Sequence, residues 1–327
     1  MALKEFEFGF GHGIQKVSLP EEHILDVLEG NPTPACDVKE ATLECMRHPI
    51  GSKPLQEIVS KGDKVCIVCA DVTRIWNHSD QFVIHVVNEL NLAGIPDDDI
   101  SILFAQGTHR EQTPEEDIMV VGEELTKRVK LYQHHCMNKD ELVHVGDTSR
   151  GTPVWINKHA VEADKVIVID GITTHLFAGY GGGRKLILPG VAGDDTIQIN
   201  HCHALGEKFG SGINPKTRST LLTDNPVSDD MQEASDMIKP CFLVHSIINS
   251  EGKICAMVGG DPYKAWLEGT KIVYRIQKVP FKAKCDIAFA CAGGYPKDVS
   301  LYQGCKCYDP SDVVTKERSE ERRVGKE

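Results

Sequence analysis

Three apolar runs set the frame of the chain: VCIVCA (Val65–Ala70), ISILFA (Ile100–Ala105) and VIVI (Val166–Ile169). They have strand length and lack the alternation of a half-exposed sheet. They therefore predict strands buried on both faces, as in a parallel sheet. After the first run, Phe82, Val83, Val86, Val87 and Leu90 recur with helical period, and Gly94 supplies a stop. Thr113-Pro-Glu-Glu is a capping box with Thr113 at N-cap, Pro114 at N1 and Glu116 at N3, opening a helix that ends at Gly122. Short strands are predicted over Leu142–Val145 and Pro153–Ile156. Helices are predicted near 40–47, 55–59 and 261–273, and a last strand from Cys285 through DIAFACAGG. The first residues, to about Val17, read as a strand pair. Ser18-Leu-Pro-Glu then reads as the start of a short helix with Ile24, Val27 and Leu28 on one face. The stretch before Gly260 is mixed, and no internal repeat is present. Strands alternating with helices predict an α/β fold with a mostly parallel sheet and flanking helices.

Chemistry-bearing residues collect where these strands end. Asp71 and Arg74 (DVTR), His109 (GTHR), His175 with Lys185, and the Gly293-Gly294 loop each follow a predicted strand. Loops at the carboxyl edge of a parallel sheet converge on one crevice. The glycine run Gly179–Gly183 ends in Arg184 and Lys185. It fits neither the Walker A pattern nor the dinucleotide fingerprint. It reads either as a surface turn or as backbone N–H groups approaching an anion such as phosphate. His109 and His175 are each compatible with a structural role. Together at two strand ends they suit a general acid/base pair. His201 and His203, two residues apart, do not share a helix face, so at most one reads as a ligand. Cys66 and Cys69 read as core thiols on opposite faces of a strand. Cys305 and Cys307 lack a second pair for zinc. Arg74 and Lys306 are either solvated charges or partners for a carboxylate-bearing substrate.

Composition narrows the classes. The 327 residues are 41% hydrophobic and 26% charged, with a net charge of −12. That charge disfavours nucleic acid and anionic membranes as partners. No run approaches the roughly 18 apolar residues of a spanning helix. The first residues have no apolar signal-peptide core. Twelve cysteines without an export signal predict free thiols in a cytoplasmic protein.

The ordered set DVTR, GTHR, H-x-x-x-G-Y-G-G-G-R-K-x-x-L-P-G, Asn200-His201 and LYQxxK resembles the nickel-dependent lactate racemase family, from about residue 8 to about 308. The resemblance implies a racemase or epimerase of a small 2-hydroxy acid. It implies a nickel pincer nucleotide (pyridinium-3,5-bisthiocarboxylic acid mononucleotide nickel) tethered to Lys185, with His201 completing the nickel coordination. It implies His109 and His175 as paired acid/base residues working with hydride transfer to the cofactor. Arg74, Tyr302, Gln303 and Lys306 would orient substrate. Asp71, Thr73 and the loop Gly181, Gly182, Gly183 would hold the cofactor. Implied partners are the substrate and cofactor-biosynthesis proteins. The resemblance divides the chain into a cofactor-binding domain (1–270), the start of a truncated second α/β domain (271–310) and a charged tail (311–327) read as disordered or foreign. The competing reading is a cofactor-binding fragment without turnover.

Overall fold

The computed structural model describes residues 2–208, 210–295, 298 and 301–317, leaving aside the side chains at 302, 303, 305 and 309. The chain divides into two units, one of residues 1–30 with 278–327 and one of residues 31–277. The boundary expected near 270 falls inside the helix Lys264–Gln277. An amphipathic helix that buries Trp266, Gly269, Val273 and Ile276 holds its whole length in the larger unit.

In the smaller unit, β1 (Leu3–Phe10) and β2 (Gly13–Pro20) form the expected hairpin. The helix expected from Ser18 does not form. The ladder runs to Leu3 opposite Pro20, which draws Ser18 into a strand and removes the N-cap. A single turn, Glu21–His23, follows, and Val27 and Leu28 lie exposed. The strand expected from Cys285 is also absent. That segment makes one isolated bridge, Cys285 to Thr315, and Ile287 and Phe289 are exposed. With no ladder to join among the described residues, its apolar pattern has nothing to pair with. The Gly293-Gly294 loop therefore follows no strand. It lies against the β1–β2 turn, where a Cβ on Gly9 would sit 3.0 Å from the Gly293 carbonyl carbon. A helix, Tyr308–Val314, occupies the start of the range read as a tail. Residues 318–327 lie outside the described residues.

The larger unit holds β3 (Val65–Ala70), β4 (Ile100–Ala105), β5 (Lys130–Tyr132), β6 (Leu142–Asp147), β7 (Pro153–Asn157), β8 (Lys165–Gly171), β9 (Thr174–His175), β10 (Gly179–Tyr180), β11 (Phe242–Ile248) and β12 (Ile254–Gly260). Six of them build one sheet in the order β12-β11-β8-β3-β4-β5. All neighbours are parallel except β11 and β12. Every residue of β3 is buried, as the unbroken apolar run requires. Alternate residues feed two cores: Cys66, Val68, Val166 and Val168 on one face, and Ile67, Cys69, Ile167 and Ile169 on the other. The two cysteines thus point apart as expected, and burial pushes the Cys66 thiol up to about 12.

The Thr113–Glu116 capping box is present, ending at Gly122 as read. The sequence reading passed over β5, the helix Pro226–Ile238 and the β11–β12 pair. Among the described residues no helix is long and apolar enough to cross a membrane.

From β3 the chain steps to β4 and β5 on one side. It then returns to β8 and β11 on the other. The strand order reverses between β3 and β8, and a parallel sheet opens a crevice at the carboxyl ends of such a pair.

Candidate active site

The carboxyl ends of β3 and β4 supply the first half of the crevice. Asp71 leaves β3 nearly buried, at 3% exposure. Its Oδ2 lies 2.7 Å from His109 Nδ1, and its Oδ1 accepts from Thr73 Oγ1 at 2.6 Å. A carboxylate so placed holds the imidazole with its proton on Nδ1 and leaves Nε2 as the basic nitrogen. Arg74 Nη1 donates to Thr73 Oγ1 at 2.8 Å. Residues 71–74 form a tight turn, closed by the Arg74 N–H on the Asp71 carbonyl at 2.8 Å. This brings Asp71 and Thr73 of DVTR to the histidine of GTHR, with Arg74 held on Thr73.

The second half follows β8. His175 sits in the small β9–β10 hairpin. Its Nδ1 accepts N–H groups from Phe177 at 3.3 Å and Ala178 at 3.1 Å. Its Nε2 lies 3.3 Å from Lys185 Nζ. His201 is in the last turn of the helix Asp194–Cys202, and its Nδ1 is 2.8 Å from the Ile197 carbonyl. Burial first, and the charge of Lys185 second, hold this imidazole below its ordinary range. It is therefore a neutral ring whose remaining nitrogen, Nε2, carries a lone pair suited to a metal. Its neighbour Asn200 is anchored by donating to the buried Asp230 at 2.8 Å, which fixes the helix. His203 lies at the other side of that anchor, 3.2 Å from Thr152 Oγ1, and reads as structural.

One backbone bond joins the halves: the Gly107 N–H in the His109 loop donates to the Gly190 carbonyl at 2.8 Å. Gly190 in turn donates to the Lys185 carbonyl at 3.0 Å.

Two N–H groups of the glycine run have partners within the protein. The Gly181 N–H donates to the Thr173 carbonyl at 2.8 Å, and the Gly183 N–H donates to His245 Nε2 at 2.7 Å. Neither is offered to a phosphate in this arrangement. The glycines are required for close packing instead. A Cβ on Gly182 would lie 2.8 Å from His245, and one on Gly183 would lie 2.8 Å from Trp266. Both residues also have φ in the left-handed region, at 73° and 58°, where a side chain is strained. Arg184 is buried, with its guanidinium 3.9 Å over the Trp266 ring, and burial pulls it down to about 10.

Asp170, at the end of β8, was passed over in the sequence. It stands where Asp71 stands on β3, directly after a buried apolar run, and that position was the available signal. Burial pushes its carboxyl up, while Arg74 draws it back. It accepts from Asn77 at 3.1 Å and from the Gly171 N–H at 2.7 Å. Lys306 is exposed in a short turn, Cys305–Cys307, of the smaller unit. The side chains of Tyr302 and Gln303 lie outside the described residues. Hence Asp71, Thr73, Arg74 and His109 form one group and His175, Lys185 and His201 another, both within the larger unit, and the LYQxxK residues belong to the smaller one.

The lactate racemase of Lactiplantibacillus plantarum is 32% identical over 283 residues, covering 85% of this chain and 64% of that protein. The chain thus spans just under two thirds of that relative's length. The lactate racemase of Thermoanaerobacterium thermosaccharolyticum is 29% identical over 326 residues, covering 96% of this chain and 72% of that protein. The solved apoprotein structure of the Thermoanaerobacterium lactate racemase superposes with a TM-score of 0.81 at 30% identity, covering 96% of this chain and 72% of that one. A crystal structure of a Thermotoga maritima protein has a TM-score of 0.61 at 23% identity, covering 79% of this chain and 63% of that one; it speaks for the fold alone. The family model of the lactate racemase N-terminal domain matches residues 10–212. That span takes in Asp71, His109, His175, Lys185 and His201, and the chain belongs to this family.

Proposed function

We propose that the chain is a racemase or epimerase of a small, lactate-like 2-hydroxy acid, working with a nickel pincer nucleotide carried on Lys185. The observation that carries the reading is the meeting of Lys185 Nζ with His175 Nε2 at 3.3 Å, beside a neutral His201, in a member of this family.

The residues suit such a group. Among the described residues no cluster of three or more His, Cys, Asp or Glu could hold a metal ion. One imidazole, His201, is available to a nickel whose other donors belong to the nucleotide, and soft sulfur with imidazole suits nickel. When bound, the group supplies the metal and a ring carbon that accepts and returns hydride. Everything else falls to the chain. Lys185 anchors, and His201 Nε2 ligates. His109, held by Asp71, takes or returns the hydroxyl proton of the substrate on one face, and His175 does so on the other. Two bases are needed because inversion exchanges the faces. Arg74 pairs with the substrate carboxylate, a planar match for guanidinium. Thr73 braces both Asp71 and Arg74. Proteins that build the nucleotide are the required partners. The described cysteines are free thiols, which supports a cytoplasmic setting.

The test is intact-mass and nickel analysis of protein made in a cell that synthesises the nucleotide, followed by chiral chromatography of D- and L-hydroxy acids. The expected result is an adduct mapped to Lys185, stoichiometric nickel, and interconversion of enantiomers. Protein carrying neither adduct nor nickel would overturn the proposal.

A further inference from the structure

We infer that His245 is the positioning residue for the lysine loop: its Nε2 holds the Gly183 N–H and so sets where Lys185 projects into the crevice. The inference rests on the proposed function only for what Lys185 carries.

His245 sits in the middle of β11 and is 0% exposed. A polar ring in a strand buried on both faces needs partners for its nitrogens. Nδ1 lies 2.8 Å from the Val244 carbonyl, and Nε2 lies 2.7 Å from the Gly183 nitrogen. A neutral imidazole with its proton on Nδ1 satisfies both at once: it donates to the carbonyl and accepts from the glycine. The Asp170 N–H also approaches Nδ1, at 3.2 Å. That longer contact would need the opposite tautomer, which would forfeit the two shorter bonds. Burial holds the ring neutral, with its pKa lowered to about 4, so the acceptor persists at neutral pH.

The loop is shaped around this ring. Gly182 has no room for a Cβ because the ring is there. Trp266 Nε1 donates to the Gly181 carbonyl at 2.9 Å, and the same indole lies under the Arg184 guanidinium. Gly181, Gly183 and Arg184 are thus held by His245 and Trp266. Lys185 follows them, with its own N–H on the Gly182 carbonyl at 3.2 Å. Its direction toward His175 follows from the backbone these two residues hold.

Hydrogen exchange over residues 179–186, read by mass spectrometry on cofactor-free protein, tests this with His245→Gln, His245→Asn and His245→Leu. Gln can place an amide oxygen near the position of Nε2, and Asn is too short to reach it. The native and Gln proteins should exchange within about twofold of each other, and the Asn and Leu proteins roughly tenfold faster, with the sheet strands unchanged. The rate at which an amine reagent labels Lys185, located by peptide mapping, should change in Asn and Leu and recover in Gln. Equal exchange in all four proteins, or Gln as fast as Asn, would overturn the inference. Should Asn and Leu fail to fold, nitrogen-15 signals of the native ring decide. Protonated Nδ1 with bare Nε2 supports the assignment, and protonated Nε2 overturns it. These readouts need no turnover, so a chain without racemase activity would sink the proposed function and leave this result standing.

Discussion

The two crevice histidines are held in opposite ways. His109 meets a carboxylate through Nδ1, which places its proton there and leaves Nε2 with a lone pair. His175 meets two backbone N–H groups through Nδ1 and the Lys185 amine through Nε2, so both of its nitrogens face donors. The racemisation proposed above asks for two bases, and these two are held by unlike partners: a carboxylate for one, N–H donors for the other. For His175 to hold a second proton, the Phe177 and Ala178 N–H groups must first leave Nδ1, because a proton there would face two donors. The proposed turnover in both directions would therefore require the β9–β10 hairpin to adjust, whereas the Asp71 side can stay still.

The sharpest way to break this comparison is Asp71→Asn. An amide at that position favours the wrong tautomer of His109, and a loss in kcat of roughly 10³- to 10⁴-fold is expected, on the scale of triad carboxylates. Labelling of Lys185 should be unchanged. A loss below about tenfold would show that His109 is not governed by Asp71. Next comes His175→Gln, which removes a base while leaving the Asp71 half intact. Interconversion should fall by about 10²- to 10⁴-fold, measured from each enantiomer separately. Unaltered rates would remove His175 from the chemistry.

Stability against pH probes the neutral histidines. His134 and His245 both have pKa values lowered to about 4, with burial the leading cause. Between the ordinary histidine value of 6.5 and about 4, the unfolded chain binds protons that the folded chain refuses. Stability from these groups is therefore fully present above that window and is lost as pH falls through it. Asp170, pushed up by burial, acts in the opposite sense. Over this window two histidines set the proton count against a single carboxyl, so the urea midpoint should drop from pH 7 to pH 5, and a flat profile would contradict the burial assigned to them. The smallest effect belongs to Thr73→Val, which removes one bond from Asp71 and one from Arg74. Loss of about 1–2 kcal/mol of transition-state stabilisation is expected, read as kcat/KM with little change in melting temperature.

The sequence made the sheet and the site legible to different depths. β3, β4 and β8 announce themselves because strands buried on both faces must be apolar throughout. The capping box announces its helix because two side chains satisfy the first N–H groups. β11 reads as FLVHSII, and its buried His245 and Ser246 mask an otherwise apolar run. The segment after Cys285 has the opposite fault: it carries strand-like residues, but pairing is a property of a neighbour and not of the segment. Asp71, His109 and His175 are legible because each follows a predicted strand; Asp170 marks the limit of that signal, because it still lies inside β8. Asp71 and Thr73 were read as cofactor contacts, and their bonds to His109 emerge only when two loops are brought together. The glycine run reads as a surface turn or as an anion-facing loop. The N–H groups of Gly181 and Gly183 face Thr173 and His245, a placement that glycine, lacking a side chain, cannot signal.

The bond from Gly107 to Gly190 has a practical consequence. It couples the loop of one histidine to the loop of the lysine through peptide groups alone, so truncating side chains one at a time would pass over it. Only a change to the main chain itself, such as an ester in place of the amide at position 107, would register how firmly the two loops are stitched together.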